Sequence, residues 1–157
     1  MVVEAVKMAE NGETPEKIYE ALKELAPKVE ASFVLDRLDY MVKGGRCSAV
    51  AALGASLLQL KPCIEVVDGK MGVCKKYRGS YEKALANYVK DRLKDREDIE
   101  TERIFVTHTE TSQEIVDSVK AAVNEYKEFG IVEETVAGCT VSCHCGPNTL
   151  GVLFIRK

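Results

Sequence analysis

Apolar and polar positions alternate in patterns that divide the first part of the chain into short helices and one strand. Apolar residues recur at helical spacing from Val2 to Asn11, and again after Thr14-Pro15, a pair that is typical of a helix start. Strict alternation over residues 29–35 predicts a strand. A short helix should follow, capped by Asp36 and ended by Gly44-Gly45.

The middle of the chain combines an uncharged run with a clear hairpin. Residues Ser48 to Leu58 are small and apolar, which predicts a closely packed helix that is buried on most sides or lines a cavity. Asp68-Gly69 stands between two alternating runs and is the strongest short-range signal of a two-residue hairpin turn. In that register Cys63 lies opposite Cys74, at a hydrogen-bonded position with Cα atoms about 5.5 Å apart.

The six cysteines are expected to be reduced. The chain opens on a segment broken by charges rather than on a secretory signal, and no window approaches the roughly 18 apolar residues of a membrane span. These features favour a cytoplasmic protein, because that compartment keeps thiols reduced. A Cys63–Cys74 disulfide is sterically conceivable, but two packed thiols are the preferred interpretation.

The last part of the chain alternates helices with strands. Helices are predicted at residues 80–94 and from the Thr111-Ser112-Gln113-Glu114 capping box to Gly130, and strands at 103–108, 131–136 and 150–155. The order of elements predicts an α+β fold in a single domain of residues 1–157. We expect a mixed, largely antiparallel sheet of about five to six strands with helices packed against it.

Charge argues against one class of function. The chain carries a formal net charge of −3, whereas nucleic-acid-binding proteins present a basic patch or stripe to the phosphates. The densest charge run, Lys90 to Glu102, mixes both signs and is typical of a solvated helix end and loop. We therefore expect no nucleic-acid partner.

Candidate chemistry is concentrated between Gly138 and Gly151. This stretch contains His144, one of the two histidines, and three of the six cysteines. A zinc site is disfavoured, because structural zinc is usually held by two C-x₂₋₄-C pairs and the spacing here is different. A Cys/His nucleophilic pair would need His108 to approach from another strand, since His144 cannot easily orient a cysteine beside it.

A third interpretation of this stretch is anion binding. Small residues let backbone amides approach a ligand closely, and His144 beside them can donate a hydrogen bond to a carboxylate or phosphate. Arg46, directly after Gly44-Gly45, would add a charge-assisted contact. On the residues alone, a satisfied loop histidine and a surface arginine remain equally open.

Four segments, in order along the chain, resemble motifs of the DegV family. They are Leu38–Arg46, Gly54–Pro62, the Asp68-Gly69 hairpin with Lys76-Tyr77-Arg78, and His144–Gly151. The resemblance covers essentially the whole chain. Members of the family have two domains, and this chain resembles the second, α+β domain alone, so the N-terminal DegV domain is expected to be absent.

The resemblance implies non-catalytic lipid binding rather than an enzyme. A long-chain fatty acid is the expected ligand, with no cofactor and no metal, and its acyl chain would lie in a tunnel between two domains. A kinase subunit that phosphorylates the fatty-acid carboxylate is the expected protein partner. Apolar surface that the first domain normally covers would be exposed in this chain, which favours self-association.

Carried over residue by residue, the resemblance assigns two polar side chains to the carboxylate. His144 would join the hydrogen-bond network there, and Arg46 would support it by charge. The remaining expected lipid-binding residues are Gly146 and Thr149 from the closing motif, and Ser56 and Leu57 from the uncharged run.

Two positions depart from the family pattern and keep other functions open. Asn148 stands where glycine is common, although asparagine tolerates a left-handed backbone better than most residues. Cys145 stands where a hydroxyl residue is common, which leaves that ligand contact in question. The competing interpretations are a thiol- or metal-dependent enzyme built on the Cys139–Cys145 turn, and a structural fragment without activity.

Overall fold

The computed structural model of the protein describes residues 1–45 and 60–157. The helices in that part of the chain are α1 (Val2–Glu10), α2 (Pro15–Leu25), α3 (Asp39–Lys43), α4 (Tyr81–Leu93), α5 (Gln113–Tyr126) and α6 (Cys139–Cys145), with a 3₁₀ turn at Ala26–Lys28. The strands are β1 (Val29–Leu35), β2 (Leu60–Val67), β3 (Lys70–Arg78), β4 (Arg103–His108), β5 (Ile131–Val136) and β6 (Thr149–Ile155). None of the helices in these residues combines the length and hydropathy that a bilayer span requires.

The six strands form one open sheet in the order β3-β2-β1-β6-β4-β5. Every neighbouring pair is antiparallel except β4 and β5, which run parallel. The parallel pair is joined through α5, as a crossover between parallel strands requires. The mixed, largely antiparallel α+β fold predicted from the element order is therefore confirmed.

Local signals in the sequence place several element ends correctly. The Thr14 side chain accepts a hydrogen bond from the Lys17 amide, with Pro15 at the first position of α2. Ser80 caps α4 in the same way, accepting from the Lys83 amide at 3.3 Å. The strands at residues 29–35, 103–108 and 131–136 have the predicted bounds.

Other predicted element ends are wrong. Asp36 does not cap α3, which begins three residues later; its carboxylate pairs instead with Lys61 Nζ at 2.6 Å. Ser112 is the N-cap of α5, but its side chain makes no capping hydrogen bond, and the helix ends at Tyr126 rather than Gly130. The predicted helix at 48–58 lies outside the described residues.

The β2–β3 hairpin turns at Asp68-Gly69 as predicted, but its register shifts at Cys63 and Ile64. Beyond that point Cys63 pairs with Lys75, so the predicted Cys63–Cys74 pairing is wrong and Cys74 is the extra residue of a β-bulge. The bulge carries Tyr77 to the face of the sheet that α4 covers, where its hydroxyl donates to Asp91. Both cysteines are free thiols.

The two faces of the sheet are packed differently. On one face α4 and α5 cover the main core, which includes Val34, Leu85 and Val152. On the other face α3 and α6 pack over a smaller cluster of Leu35, Met41, Ile64 and Cys145. Alternation along β1 separates the two, because Val34 and Leu35 point to opposite faces.

Candidate ligand site at the ends of α3 and α6

The stretch that was predicted to be a turn contains a helix. α6 begins after Gly138 and ends at Gly146, whose φ of 77° lies in the left-handed region that favours glycine. The Gly146 amide donates to the Ser142 carbonyl at 2.8 Å and closes the last turn. His144 therefore sits in the last turn of a short helix, with its ring turned towards α3.

His144 packs directly on the backbone at the end of α3. A Cβ atom built on Gly44 would lie 2.3 Å from His144 Nδ1, so only glycine leaves room for the ring. That Nδ1 atom is buried and has no hydrogen-bond partner among the described residues. Since a buried unsatisfied polar atom costs about 1–3 kcal/mol, this nitrogen marks a place where a polar group of a ligand or partner is expected.

A second close contact joins the same two helices. The ring of Tyr40 lies against Gly146, where an added Cβ would be 2.4 Å from Tyr40 Cδ2. Gly146 is thus required both for its positive φ and for the space that the tyrosine ring occupies. The two glycine contacts, Gly44 with His144 and Gly146 with Tyr40, fix α3 and α6 against each other.

The loop after α6 is tied to the end of β4. The Thr109 hydroxyl donates to the Gly146 carbonyl at 2.7 Å and accepts from the Thr149 amide at 3.0 Å. Asn148 adopts a φ of 53°, as its tolerance of left-handed backbone suggested, and its Oδ1 accepts from Thr111 Oγ1 at 2.8 Å. These bonds hold the loop on both sides of Pro147 and position the C-terminal end of α6.

Thr149, an expected ligand contact, is placed in this supporting network. It is buried, and its hydroxyl donates to the Cys145 carbonyl at 3.1 Å, which satisfies a carbonyl at the end of α6. The side chain therefore fixes the helix end in the described structure.

The three cysteines of α6 do not converge. Cys145 is buried against Leu35, Met41 and Ile64, and burial raises the pKa of its thiol, so the reactive thiolate is disfavoured there. Cys139 and Cys143 are exposed. Within residues 1–45 and 60–157, no group of three or more His, Cys, Asp or Glu side chains is arranged to hold a metal ion.

His108, the other histidine, is engaged elsewhere. Its Nδ1 donates to the Thr109 carbonyl at 2.7 Å, and its Nε2 lies 3.5 Å from Glu134 Oε1, longer than an ordinary hydrogen bond. Lys120, as the largest cause, and His108, as a lesser one, hold the pKa of Glu134 below its usual range. These contacts direct His108 towards β5 rather than towards a cysteine of α6.

An apolar row crosses the same face of the sheet as α3 and α6. Phe33 lies two residues before Leu35 on β1, so both side chains are on the same face. Leu153 of β6 pairs with Ala31 of β1 on one side and with Phe105 of β4 on the other. Leu35 is fully buried, whereas Ala31, Phe33, Phe105 and Leu153 are only partly buried. Gly151, opposite Phe33, lets β1 and β6 approach closely, because an added Cβ would lie 2.2 Å from the Ser32 carbonyl oxygen and 2.9 Å from Phe33 Cβ.

Sequence reasoning found part of this site. His144 and Gly146 were expected, and the structure brings them to the α3–α6 contact. Arg46, Ser56 and Leu57 lie outside the described residues. The contribution of Tyr40 was missed, although it belongs to the Leu38–Arg46 motif, and that of Thr109 carried no signal because its partners are backbone atoms far along the chain.

The family model that matches the chain is that of the DegV family, described as a family of uncharacterised proteins, and the match spans residues 1–157. A DegV domain-containing protein of Caldanaerobacter subterraneus subsp. tengcongensis is 30% identical over 158 residues, covering 100% of this chain and 55% of the relative. A protein of Thermotoga maritima named fatty acid-binding protein is 27% identical over 151 residues, covering 94% of this chain and 51% of its own.

The fold is also similar to solved structures. The crystal structure of the Streptococcus pneumoniae Fatty Acid Kinase (Fak) B3 protein loaded with linoleic acid has a TM-score of 0.82 at 18% identity. That match covers 99% of this chain and 54% of the solved one. The chain spans about half the length of the curated relatives and solved structure that it matches.

Proposed function

Since the chain belongs to the DegV family, we propose that it forms one wall of a fatty-acid-binding site, with His144 at the carboxylate end. The observation that carries the proposal is the buried Nδ1 of His144, which has no partner among the described residues and lies at the contact of α6 with Gly44 of α3. An imidazole in this setting can donate a hydrogen bond to a carboxylate oxygen.

The surroundings of His144 suit a carboxylate rather than a reacting group. The ring packs directly on Gly44, and the Tyr40–Gly146 contact, one turn earlier along α3, joins the same two helices. Such a site orients a ligand through a hydrogen bond, and the thiol of the following residue, Cys145, is buried in the apolar cluster rather than presented as a nucleophile. Arg46, two residues after Gly44, is proposed to add the charge-assisted contact expected from the sequence.

The apolar row beside the site supports an acyl chain as the rest of the ligand. Leu35 and Phe33 continue from the α3–α6 cluster along β1, and Leu153 and Phe105 extend the row across β6 and β4. Binding sites for apolar ligands combine such surfaces with a few polar groups that fix orientation. Each methylene removed from water contributes about 0.8 kcal/mol, so a long chain gains far more here than a short one.

We propose that the opposite wall comes from the part of the DegV relatives that this chain does not cover. The partly buried row and the Nδ1 of His144 are features that a second structural unit would complete. Ser56 and Leu57 are proposed to lie along the acyl chain. Thr149 is still proposed as a lipid-binding residue, in addition to the hydrogen bond by which its hydroxyl fixes the end of α6.

A separate kinase subunit as the protein partner is the finer part of the proposal. It rests on the resemblance to DegV proteins and on the name of the Streptococcus pneumoniae Fatty Acid Kinase B3 protein, whose fold this chain shares. The expected product is an acyl phosphate made by the separate kinase subunit, with this chain holding the fatty acid. Self-association through the apolar row is an alternative way to cover that surface.

The direct test is extraction of lipid from the purified chain, followed by mass spectrometry of the fatty acids. We expect bound long-chain fatty acid in the unsubstituted chain and a clear loss in His144→Gln. Cys143→Ser is the matched control, because Cys143 is exposed on the same helix. Equal lipid content in His144→Gln and the control, with both folded by circular dichroism, would contradict the assignment of His144.

A further inference from the structure

Cys63 and Cys74 lie on the face of the sheet that α4 covers, opposite to the proposed lipid site. The β-bulge in β3 places Cys74 and Lys75 both opposite Cys63, so that Cys74 joins Cys63 on that face. Cys63 is fully buried, whereas Cys74 is exposed to solvent. The Cys74 thiol lies 3.4 Å from the Cys63 carbonyl.

Arg92 of α4 joins the two sulfurs. Its Nη2 atom is 3.0 Å from Cys74 Sγ and 3.7 Å from Cys63 Sγ. The same guanidinium is held by carboxylates on two strands, Glu30 at 3.2 Å and Glu65 at 3.1 Å. The arginine is therefore fixed in place by ion pairs that do not depend on either thiol.

This arrangement divides the two thiols into different ionisation states. A hydrogen bond from the Cys63 thiol, assisted by the positive charge of Arg92, lowers the pKa of Cys74 to about 7, while burial and the Glu65 carboxylate oppose the shift. The same hydrogen bond to Cys74, together with burial, raises the pKa of Cys63. Lys75 and Asp91, which pair with each other at 2.6 Å, are the neighbouring charges on β3 and α4. A thiolate at the exposed position and a protonated thiol behind it follow from these contacts.

We infer that Cys74 and Cys63 form an oxidisable thiol pair, in which Cys74 attacks a hydroperoxide and Cys63 then closes a disulfide. In the first step the Cys74 thiolate attacks the distal peroxide oxygen, the O–O bond breaks, and the alkoxide or hydroxide that leaves takes up a proton. Cys74 becomes a sulfenic acid and the hydroperoxide is reduced to an alcohol or water. In the second step the Cys63 thiol attacks the Cys74 sulfur, the S–O bond breaks, and water leaves.

The roles of attacking and resolving thiol are assigned from the solvent exposure of each cysteine and from its contacts. Of the two thiols, Cys74 is the one exposed to a dissolved oxidant, and among the cysteines of residues 1–45 and 60–157 only Cys63 shares the Arg92 contact that brings it close behind Cys74. Arg92 stabilises the attacking thiolate, and after oxidation it keeps Glu30 and Glu65 as partners, so the disulfide forms without leaving a buried charge unpaired.

The test begins with hydrogen peroxide added to the reduced chain, followed by peptide mass spectrometry without reduction. We expect a Cys63–Cys74 disulfide as the first product. In Cys63→Ser, which keeps a hydrogen-bond donor but cannot form the disulfide, dimedone should trap the sulfenic acid on Cys74. Sulfenic acid or disulfides that form first at other cysteines, with Cys63 and Cys74 still reduced, would overturn the inference.

The rate of iodoacetamide labelling against pH gives a second readout that does not require oxidation. Labelling of Cys74 should have a midpoint near pH 7, and at pH 6 it should exceed that of the cysteine in an unstructured model peptide by about fivefold, because a larger thiolate fraction outweighs lower nucleophilicity. Arg92→Gln should move the midpoint upward. A midpoint for Cys74 equal to that of the model peptide would also overturn the inference.

Discussion

The sheet face under α4 and α5 is held by a cluster of nineteen buried residues, whereas the cluster under α3 and α6 contains four, counted over the described residues. The first face is closed by large apolar side chains such as Leu85, Tyr88 and Leu93. The second is held by ring-on-glycine contacts and by hydrogen bonds to the backbone of the loop after α6. The main core and the proposed ligand site therefore lie on opposite sides of one sheet.

This division has a physical reason. A surface that accepts a hydrocarbon chain cannot also be filled by its own side chains, so the proposed role of the α3–α6 face accounts for its partly buried apolar residues and for the packing of its histidine on the backbone. The opposite face compensates with dense packing, which raises the cost of any cavity there. Substitutions on the α4–α5 face should therefore lower mainly the free energy of unfolding, and those on the α3–α6 face mainly ligand binding.

The largest effect is expected from truncation in the main core. Leu85→Ala removes a fully buried side chain between α4 and the sheet, which should lower the free energy of unfolding by about 2–5 kcal/mol. Urea denaturation followed by circular dichroism measures this loss. Val42→Ala, at an exposed position of α3, is the control and should change stability by less than about 0.5 kcal/mol.

A smaller loss of stability is expected when one of two tyrosines of α4 loses its hydroxyl, because only one of the two hydroxyls is hydrogen-bonded in the described structure. The Tyr88 hydroxyl donates to the Ser32 carbonyl at 2.8 Å and accepts from the Val152 amide at 2.9 Å, linking β1 and β6 from the core side. Tyr88→Phe leaves those groups unpaired and should cost about 1–3 kcal/mol.

Tyr81→Phe is the matched control for that experiment. The Tyr81 hydroxyl is buried without a partner among the described residues, so its removal should be neutral or stabilising. Equal losses of stability in both variants by urea denaturation would show that the hydroxyl bridge between β1 and β6 contributes little.

The smallest effect on stability, and a large one on binding, is expected at the end of α6. Gly146→Ala places a side chain at positive φ, which costs about 1–2 kcal/mol, and pushes the Tyr40 ring from its position. Bound fatty acid should then be lost from protein that remains folded. Gly138→Ala, where nothing lies within 4 Å of an added Cβ, should retain both properties. If Gly146→Ala keeps its full lipid content, the α3–α6 contact is not needed for ligand binding.

Much of the fold followed from short-range patterns, because alternation and capping residues act over a few positions. The strand at residues 29–35 and the cap at Ser80 are examples. α6 did not follow, since its hydroxyls and small residues favour a turn and the helix depends on contacts of Cys145 with Met41 and of His144 with Gly44. The β-bulge at Cys74 could not be predicted either, because it depends on α4, whose Asp91 and Arg92 contact Tyr77 and Cys74 on the same face of the sheet.

For the site itself, the sequence identified the polar residue but not its support. His144 was expected because histidines are scarce and this one lies among glycines. Tyr40 and Thr109 act through contacts with residues about 40 or more positions away, which no local pattern reveals. The opposite wall of the proposed site has no counterpart in the described residues.

The most direct measurement is an NMR titration of the chain's only two imidazole side chains with decanoate, a soluble fatty acid. If His144 meets the carboxylate, its imidazole resonances shift as decanoate is added, while those of His108, which faces Thr109 and Glu134, stay in place. Cys143→Ser should give the same shifts, and Gly146→Ala should weaken them. Saturating decanoate that leaves the His144 resonances unmoved would contradict the assignment of this face as the ligand site.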